Sequence, residues 1–272
     1  MASQRTFRRI GAGACGSVWA SDDSHAMKRE DGGPGRSLLN DYNMHQKIMQ
    51  TLLESQSAAI QPRISLPTCH QLIRSDDEEW WNKQTSRFPE DVQISCNTLV
   101  TDRIPPFPQE ARDTITNRYC PEPLRLSIRS SDPDQDCLIR PYLGRRRRLV
   151  GQSRFQGFSL RNYPLHVDQM EELALDMMMY AEIMAETLAH LYWRAHVDAN
   201  DMEFVLAPPN SPQHVTMDSD VLGNHSMWIL DFDCCKHMPF DEQGVKQAME
   251  AFYRNDPFFP RPGRADIRDQ NL

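Results

Sequence analysis

Three glycines near the amino terminus constrain the fold of this chain more than any other feature. Gly11, Gly13 and Gly16 follow the pattern G-x-G-x-x-G. In dinucleotide-binding proteins this pattern opens a helix, but here it is followed by "SVWA", which is typical of a β-strand. Glycine has no Cβ, so the backbone N–H groups of such a turn can approach phosphate oxygens. The stretch predicts either a hairpin that covers a nucleotide's phosphates or a merely flexible hairpin.

Val18 and Lys28 extend the glycine pattern in the order that a phosphate-binding hairpin requires. Val18 lies two residues after the third glycine, and Lys28 follows a polar turn in the β-like stretch "AMKRE". A lysine on the strand after a glycine-rich loop can neutralise the α- and β-phosphates of a nucleotide. The alternative for Lys28 is a solvated lysine at the end of a strand.

Composition narrows the class of protein. A chain of 272 residues can bury a substantial core, as one large domain or as two lobes. The net charge of −8 argues against a general nucleic-acid binder, and no apolar run approaches the roughly 18 residues of a membrane helix. The seven cysteines never form C-x-x-C, and no signal peptide is evident, which predicts reduced thiols in a cytoplasmic protein.

The arginine run 145–148 is interpreted as a solvated loop, with an anion or partner site as the alternative.

Apolar periodicity places strands mainly in the first part of the chain and helices later. Short apolar runs predict strands in "ISLPTCHQLI", "NTLVTDRI", "CLIRPYL", "MEFVLAP" and "SMWIL". Helical spacing predicts helices over 37–53, 111–117, 168–195 and 243–253, and the acidic stretch "RSDDEEWWNKQTSRFPED" is predicted to be a loop. A proline-rich segment around 101–108 predicts a boundary between two lobes.

Two acidic motifs follow the longest predicted helix. The first is His196-Val197-Asp198, with Glu203 five residues after the aspartate, and the second is Asp231-Phe232-Asp233 at the end of an apolar run. Glycine loop, strand lysine, H-x-D and D-F-D occur in the order found in protein kinases. Over residues 7–253 the chain therefore resembles the protein-kinase-like superfamily.

The resemblance implies an α+β, two-lobed protein-kinase-like fold with a reduced C-terminal lobe. Residues 1–104 would form a β-rich nucleotide-binding lobe, and residues 105–272 a mostly helical lobe with the catalytic loop and the metal-binding motif. The implied cofactors are ATP and Mg²⁺. The residues implied to cover or contact the nucleotide are Gly11, Gly13, Gly16, Val18, Lys28 and Asp41.

The resemblance also implies a role for each polar residue of the site. Asp41 would pair with Lys28 from the following helix, or else be a surface carboxylate on an amphipathic helix. Asp198 would orient or deprotonate the attacking hydroxyl. Lys28 would be the second catalytic residue and would neutralise the phosphates of the nucleotide. The implied Mg²⁺ ligands, chosen for their hard oxygen atoms, are Asp231, Glu203 and Asp233.

Three departures from the kinase pattern leave the activity open. Glu203 replaces a metal-binding asparagine, Asn200 replaces a lysine common in serine/threonine kinases, and Asp233 replaces the glycine after Asp-Phe. No A-P-E-like sequence follows Asp233, which disfavours a peptide substrate. Two functions remain: an ATP- and Mg²⁺-dependent phosphotransferase acting on a small hydroxyl-bearing metabolite, or a pseudokinase that regulates a protein partner.

Several longer stretches carry a second resemblance. "RIPPFP", "CLIRPYLG" and "DANDMEFVLA" are similar to an uncharacterised family of filamentous fungi whose members are sometimes labelled zinc-finger proteins. No zinc-finger spacing of cysteine and histidine supports that label here. His45, His70 and His190 also lack the spacing of metal ligands and are expected to be packed or surface residues. The resemblance implies a fungal, intracellular, kinase-related protein.

Overall fold

The computed structural model describes residues 6–20, 24–55, 62–147, 157–210, 217–255 and 257–260. Two β-sheets and several helices make up this part of the chain, which confirms the predicted α+β class. Within these ranges, no helix has both the length and the apolar character needed to span a membrane.

The first sheet is antiparallel throughout and has the strand order β1-β2-β3-β5-β4. Its strands are β1 Arg8–Ala12, β2 Ser17–Ala20, β3 His25–Arg29, β4 Cys69–Ile73 and β5 Thr98–Asp102. Helix α1, Leu38–Glu54, connects β3 to β4 and packs against the sheet. The predicted glycine hairpin is the β1–β2 connection, and Lys28 lies in β3.

Helix α1 forms where the sequence predicts it and carries a polar residue on its buried face. Ser37 caps the helix, because its hydroxyl accepts a hydrogen bond from the backbone N–H of Asn40 at 3.3 Å. The buried positions are Leu38, Asp41, His45 and Ile48, at the three- and four-residue spacing of one helix face. Asp41 therefore points toward the interior of the protein rather than toward solvent.

The second sheet has the order β7-β6-β8-β9, with β6 and β7 parallel and the other pairs antiparallel. Its strands are β6 Ile139–Tyr142, β7 Tyr163–His166, β8 Glu203–Ala207 and β9 Ser226–Leu230. The remaining α-helices of the described chain are α2 Glu78–Gln84, α3 Gln109–Tyr119, α4 Arg125–Arg129, α5 Val167–Glu172, α6 Met177–His190 and α7 Glu242–Arg254. The largest apolar core surrounds this sheet and α6.

The helix predicted over 168–195 is interrupted. Helix α5 ends at Glu172, Ala174 has a left-handed backbone with φ of 51°, and Asp176 then caps α6 by accepting the N–H of Met179 at 3.0 Å. Beyond α6 the chain continues as one π-helical turn, Leu191–Ala195. The predicted apolar face of α6 is buried as expected, with Tyr180 and Met184 in the core.

The acidic stretch predicted to be a loop contains helix α2. The carboxylate of Asp77 accepts the N–H of Trp80 at 3.0 Å and begins the helix. Trp81 turns inward and packs with Phe88 beneath the first sheet, and its indole N–H donates to the carbonyl of Arg74. Burial of these aromatic rings outweighs the polar composition of the segment.

Acidic side chains of α5 contact the arginine run 145–148. Arg146 pairs with Glu171, and Arg147 pairs with Asp168 at 2.6 Å. Arg148 lies outside the described residues.

Candidate functional site

A cleft of about 1140 Å³, counted with its open mouth, lies between the two sheets. The first sheet and α1 contribute the predicted residues Gly11, Gly13, Gly16, Val18, Lys28 and Asp41. The facing side contributes Arg140, Glu203 and Asp231 together with apolar side chains such as Leu138 and Leu230. The cleft thus combines apolar walls with a small set of converging charges, which is typical of small-molecule sites.

The glycine hairpin forms one wall of the cleft and is pinned to the end of β3. The N–H of Gly13 donates to the carbonyl of Gly16 at 2.8 Å. Gly16 has φ of +152°, and a Cβ there would lie 2.1 Å from the carbonyl oxygen of Arg29. The carboxylate of Asp31 accepts hydrogen bonds from both the backbone N–H and the hydroxyl of Ser17, at 2.7 and 2.6 Å. Position 16 therefore requires glycine, because the backbone of Arg29 lies too close to leave room for a Cβ, whereas Gly13 has open space around it.

Lys28 joins three distant segments at the back of the cleft. Its Nζ donates to Asp41 of α1 at 2.6 Å and to Asp231, which directly follows β9. Burial favours the neutral amine, but the two carboxylates outweigh it and raise the pKa of Lys28 well above its ordinary value. Burial likewise opposes ionisation of Asp231, yet Lys28 keeps the pKa of Asp231 below 3.8. The ion pair therefore holds Lys28 and Asp231 in their charged forms.

Asp231 and Asp41 are fixed by backbone geometry as well as by charge. Asp231 has a left-handed backbone with φ of 68°, a conformation that non-glycine residues adopt mainly at turns and functional sites. The second oxygen of Asp41 accepts the N–H of Phe232 at 3.2 Å. The Asp231-Phe232 segment is thereby tied to α1.

Asp198 does not line the cleft. It is buried, with 3% of its surface exposed, and Oδ1 accepts the backbone N–H groups of Asn200 at 3.1 Å and Lys236 at 2.9 Å. Its Oδ2 accepts the amide of Gln247 on α7 at 2.8 Å. The carboxylate therefore joins the loop after the π-helical turn, the loop after β9 and α7.

Of the three predicted metal ligands, Asp231 and Glu203 share the cleft and Asp233 does not line it. Both oxygens of Glu203 accept hydrogen bonds from Arg140 of β6. Asp233 accepts a hydrogen bond from Arg36 at 3.2 Å. Burial and the neighbouring Asp231 carboxylate raise the pKa of Asp233 to about 6. Each predicted ligand thus has a protein cation as its partner.

Sequence reasoning missed Arg140 and Arg36, the cations that balance Glu203 and Asp233. Arg140 is the one charged residue in the apolar run "CLIRPYL", and this isolation was the available signal. Arg36 precedes α1 and carried no signal. A third missed group is Asp136 of the cleft wall, which accepts hydrogen bonds from Arg103 at 2.7 Å and from Arg8 of β1.

Comparison with known proteins gives one partial match. A family model described as "Zinc finger protein" matches residues 227–272, less than a fifth of the chain. No match was found among curated proteins, and none among solved structures. The matched segment includes β9, the Asp231-Phe232-Asp233 motif and α7.

The described part of the matched segment lacks a zinc-finger ligand set. A structural zinc site needs four converging ligands, almost always cysteine and histidine. Within the described residues, Cys234 converges with Asp201 and Asp233, and the Arg36 guanidinium already contacts all three. Cys235 is fully buried. These residues do not form the ligand set of a zinc finger.

Proposed function

We propose that this chain is a kinase-like, ATP- and Mg²⁺-dependent phosphotransferase whose nucleotide occupies the cleft between the two sheets and whose acceptor is a small hydroxyl-bearing metabolite. The observation that carries the proposal is the position of Lys28, between Asp41 and Asp231 and beside the glycine hairpin. In protein kinases a strand lysine pairs with a carboxylate of the following helix, and the aspartate of D-F-G binds the metal ion.

The chain topology supports a two-lobed, protein-kinase-like fold. Every described strand of the first sheet precedes residue 105, and every described strand of the second sheet follows it. Helix α1 lies between β3 and β4, where it can present Asp41 to Lys28. The nucleotide would lie against the glycine hairpin, with its phosphates toward Lys28.

The cleft carboxylates have the chemistry that Mg²⁺ requires. Asp231 and Glu203 offer hard oxygen ligands on the same wall of the cleft, so these two residues would hold the ion. A bound Mg²⁺ would supply positive charge that neutralises the phosphate oxygens. Arg140 competes for Glu203 and Lys28 competes for Asp231, so metal binding would displace or share these contacts. Asp233 contributes least, because it does not line the cleft and already accepts a hydrogen bond from Arg36.

A second candidate function is a pseudokinase that binds nucleotide without transferring phosphate and regulates a protein partner. Two observations favour it. Asp198 accepts three hydrogen bonds, from Asn200, Lys236 and Gln247, and does not line the cleft. Glu203 is neutralised by Arg140. A base that must accept a hydroxyl proton needs access to the acceptor in its complex.

Nucleotide binding is tested by thermal unfolding with ATP, with and without Mg²⁺. A ligand at about 100 times its dissociation constant stabilises by roughly 2.7 kcal/mol, which corresponds to about 5–10 °C for a chain of this size. We expect this shift in the wild type and its loss in Lys28→Ala and Asp231→Asn. Lys83→Ala, at an exposed lysine of α2, is the matched control and should keep the shift. Absence of a Mg²⁺-dependent shift at millimolar ATP would contradict the phosphotransferase, and absence of any shift with ATP, with or without Mg²⁺, would contradict both candidate functions.

Transfer is tested separately by the loss of the γ-phosphate of ATP in the presence of a mixture of hydroxyl-bearing metabolites. For a phosphotransferase, Asp198→Asn should keep the thermal shift and abolish turnover. Gln247→Ala should retain or increase turnover, because it removes one donor from Oδ2 of Asp198. Binding without turnover in the wild type would select the pseudokinase.

A further inference from the structure

Three metal-binding side chains converge at one end of the first sheet, on three adjacent strands. His25 begins β3, His70 lies in β4, and Asp102 ends β5, which lies between those two strands. His25 is directly opposite Asp102 in the strand register, and the two imidazole rings are 5.0 Å apart. Nε2 of His70 lies 2.7 Å from Oδ1 of Asp102. One ligand atom from each residue lies within 4.8 Å of the others.

We propose that His25, His70 and Asp102 bind a Zn²⁺ ion. Zinc is bound by imidazole nitrogen and carboxylate oxygen at about 2.0–2.2 Å, and sites with three protein ligands leave the fourth position to water. Tetrahedral geometry at these lengths separates the ligand atoms by about 3.3 Å. The His70–Asp102 contact, now 2.7 Å, would open slightly to admit the ion. Both histidine side chains are exposed at the surface.

The surroundings of the three residues orient them as ligands. The hydroxyl of Ser24 lies 2.7 Å from Nδ1 of His25, and this contact helps to fix the orientation of the imidazole ring. The backbone N–H of Thr68 donates to the second oxygen of Asp102 at 3.3 Å. Hydrogen bonds of the backbone, from Asp102 N–H to Thr68 and from Arg103 N–H to Ser24, fix the ends of the strands at 2.8 Å each. A rigid scaffold with such partners lowers the cost of assembling a metal site.

The other cluster of metal-binding side chains in the described chain is a weaker candidate. Asp201, Asp233 and Cys234 also converge, but the positive guanidinium of Arg36 already donates to each of them. A cation entering there would have to expel that charge. The site at His25 contains none of the residues matched by the zinc-finger family model.

The test is zinc titration of the full-length chain after treatment with a chelator and without nucleotide. Isothermal titration calorimetry should show one Zn²⁺ per chain, and Co²⁺ should give the visible absorption of a four- or five-coordinate ion. We expect His25→Ala and His70→Ala each to weaken Zn²⁺ binding at least tenfold and to remove the Co²⁺ absorption. Asp102→Asn is a third variant with a nearly unchanged shape. Circular dichroism of each variant checks that the sheet remains folded.

Two controls separate this site from adventitious binding. His237→Ala removes an exposed histidine outside the cluster, and Cys234→Ser alters the competing cluster. Both should bind Zn²⁺ like the wild type. The proposal is overturned if the wild type binds no Zn²⁺ at micromolar concentration. It is equally overturned if binding survives the His25→Ala/His70→Ala double variant or disappears in Cys234→Ser. Because no nucleotide is present, neither outcome depends on the proposed phosphotransfer.

Discussion

The Lys28→Met substitution removes the charge that two carboxylates share, while it keeps an unbranched side chain of similar length. Asp41 then retains only the 3.2 Å hydrogen bond from the N–H of Phe232, and its side chain is 3% exposed. Asp231 also loses its lysine, but its side chain is 29% exposed and can be hydrated. The cost of the substitution should therefore come mainly from Asp41.

The expected loss of stability follows from the burial of the Lys28–Asp41 ion pair. Removing one partner of a buried ion pair costs about 3–5 kcal/mol, because the remaining charge stays buried without a counterion. The more exposed contact with Asp231 adds at most about 1 kcal/mol. For a chain of this length, 1 kcal/mol changes the melting temperature by about 2–4 °C. Lys28→Met should therefore melt roughly 6–24 °C below the wild type.

Thermal and urea unfolding of Lys28→Met, Asp41→Asn and the double variant measure this effect directly. The double variant should lose about 1–3 kcal/mol less than the sum of the single variants, because it buries no unpaired charge. Lys83→Met, at a lysine that is 64% exposed, is the control and should change stability by less than about 0.5 kcal/mol. A melting temperature within about 2 °C of the wild type, or additive single effects, would refute the reasoning.

Four further substitutions test other parts of the molecule by urea unfolding. Gly16→Ala should cost about 2 kcal/mol or more, because its methyl group would meet a backbone oxygen, whereas Gly13→Ala should cost less than about 1 kcal/mol. Burial lowers the pKa of the His225 imidazole below 6.5. The unfolded chain therefore binds a proton at this residue more readily than the folded chain. As a result, the free energy of unfolding is highest above that pH and decreases as the pH falls. His225→Gln should flatten the decline in the urea midpoint between pH 7.5 and 5, and an unchanged slope would argue against this assignment. Asp136→Ala should cost about 3 kcal/mol because it removes the carboxylate of a buried ion pair with Arg103, and a cost below about 1 kcal/mol would show that the pair contributes little.

Local features of the fold could be predicted from the sequence where one short-range rule dominates. The periodicity of α1 and its cap at Ser37 locate that helix to within a residue at each end. The break before α6 was missed because apolar spacing continues across it, although Asp176 is a recognisable helix cap. Helix α2 was missed because the acidic composition of its segment predicts a loop, although Asp77 caps the helix and Trp81 faces inward.

The candidate site depends on contacts that sequence order alone does not specify. The motifs give the succession of Lys28, Asp41 and Asp231, but they do not reveal that Gln247 would hold Asp198 or that Arg140 would face Glu203. These contacts come from packing of distant elements. The cluster of His25, His70 and Asp102 has no recognisable spacing because its members lie on separate strands, and only the register of the sheet brings them together.

The two carboxylate partners of Lys28 are made at very different times during synthesis of the chain. Asp41 emerges from the ribosome only 13 residues after Lys28, whereas Asp231 emerges 203 residues after it. At about 5–20 residues per second, that interval lasts roughly 10–40 s. The last strand of the first sheet ends at Asp102, so it is made well before Asp231. Early in synthesis Lys28 therefore has only one of its two carboxylate partners available, and the cleft acquires its full balance of charge only after Asp231 has been made.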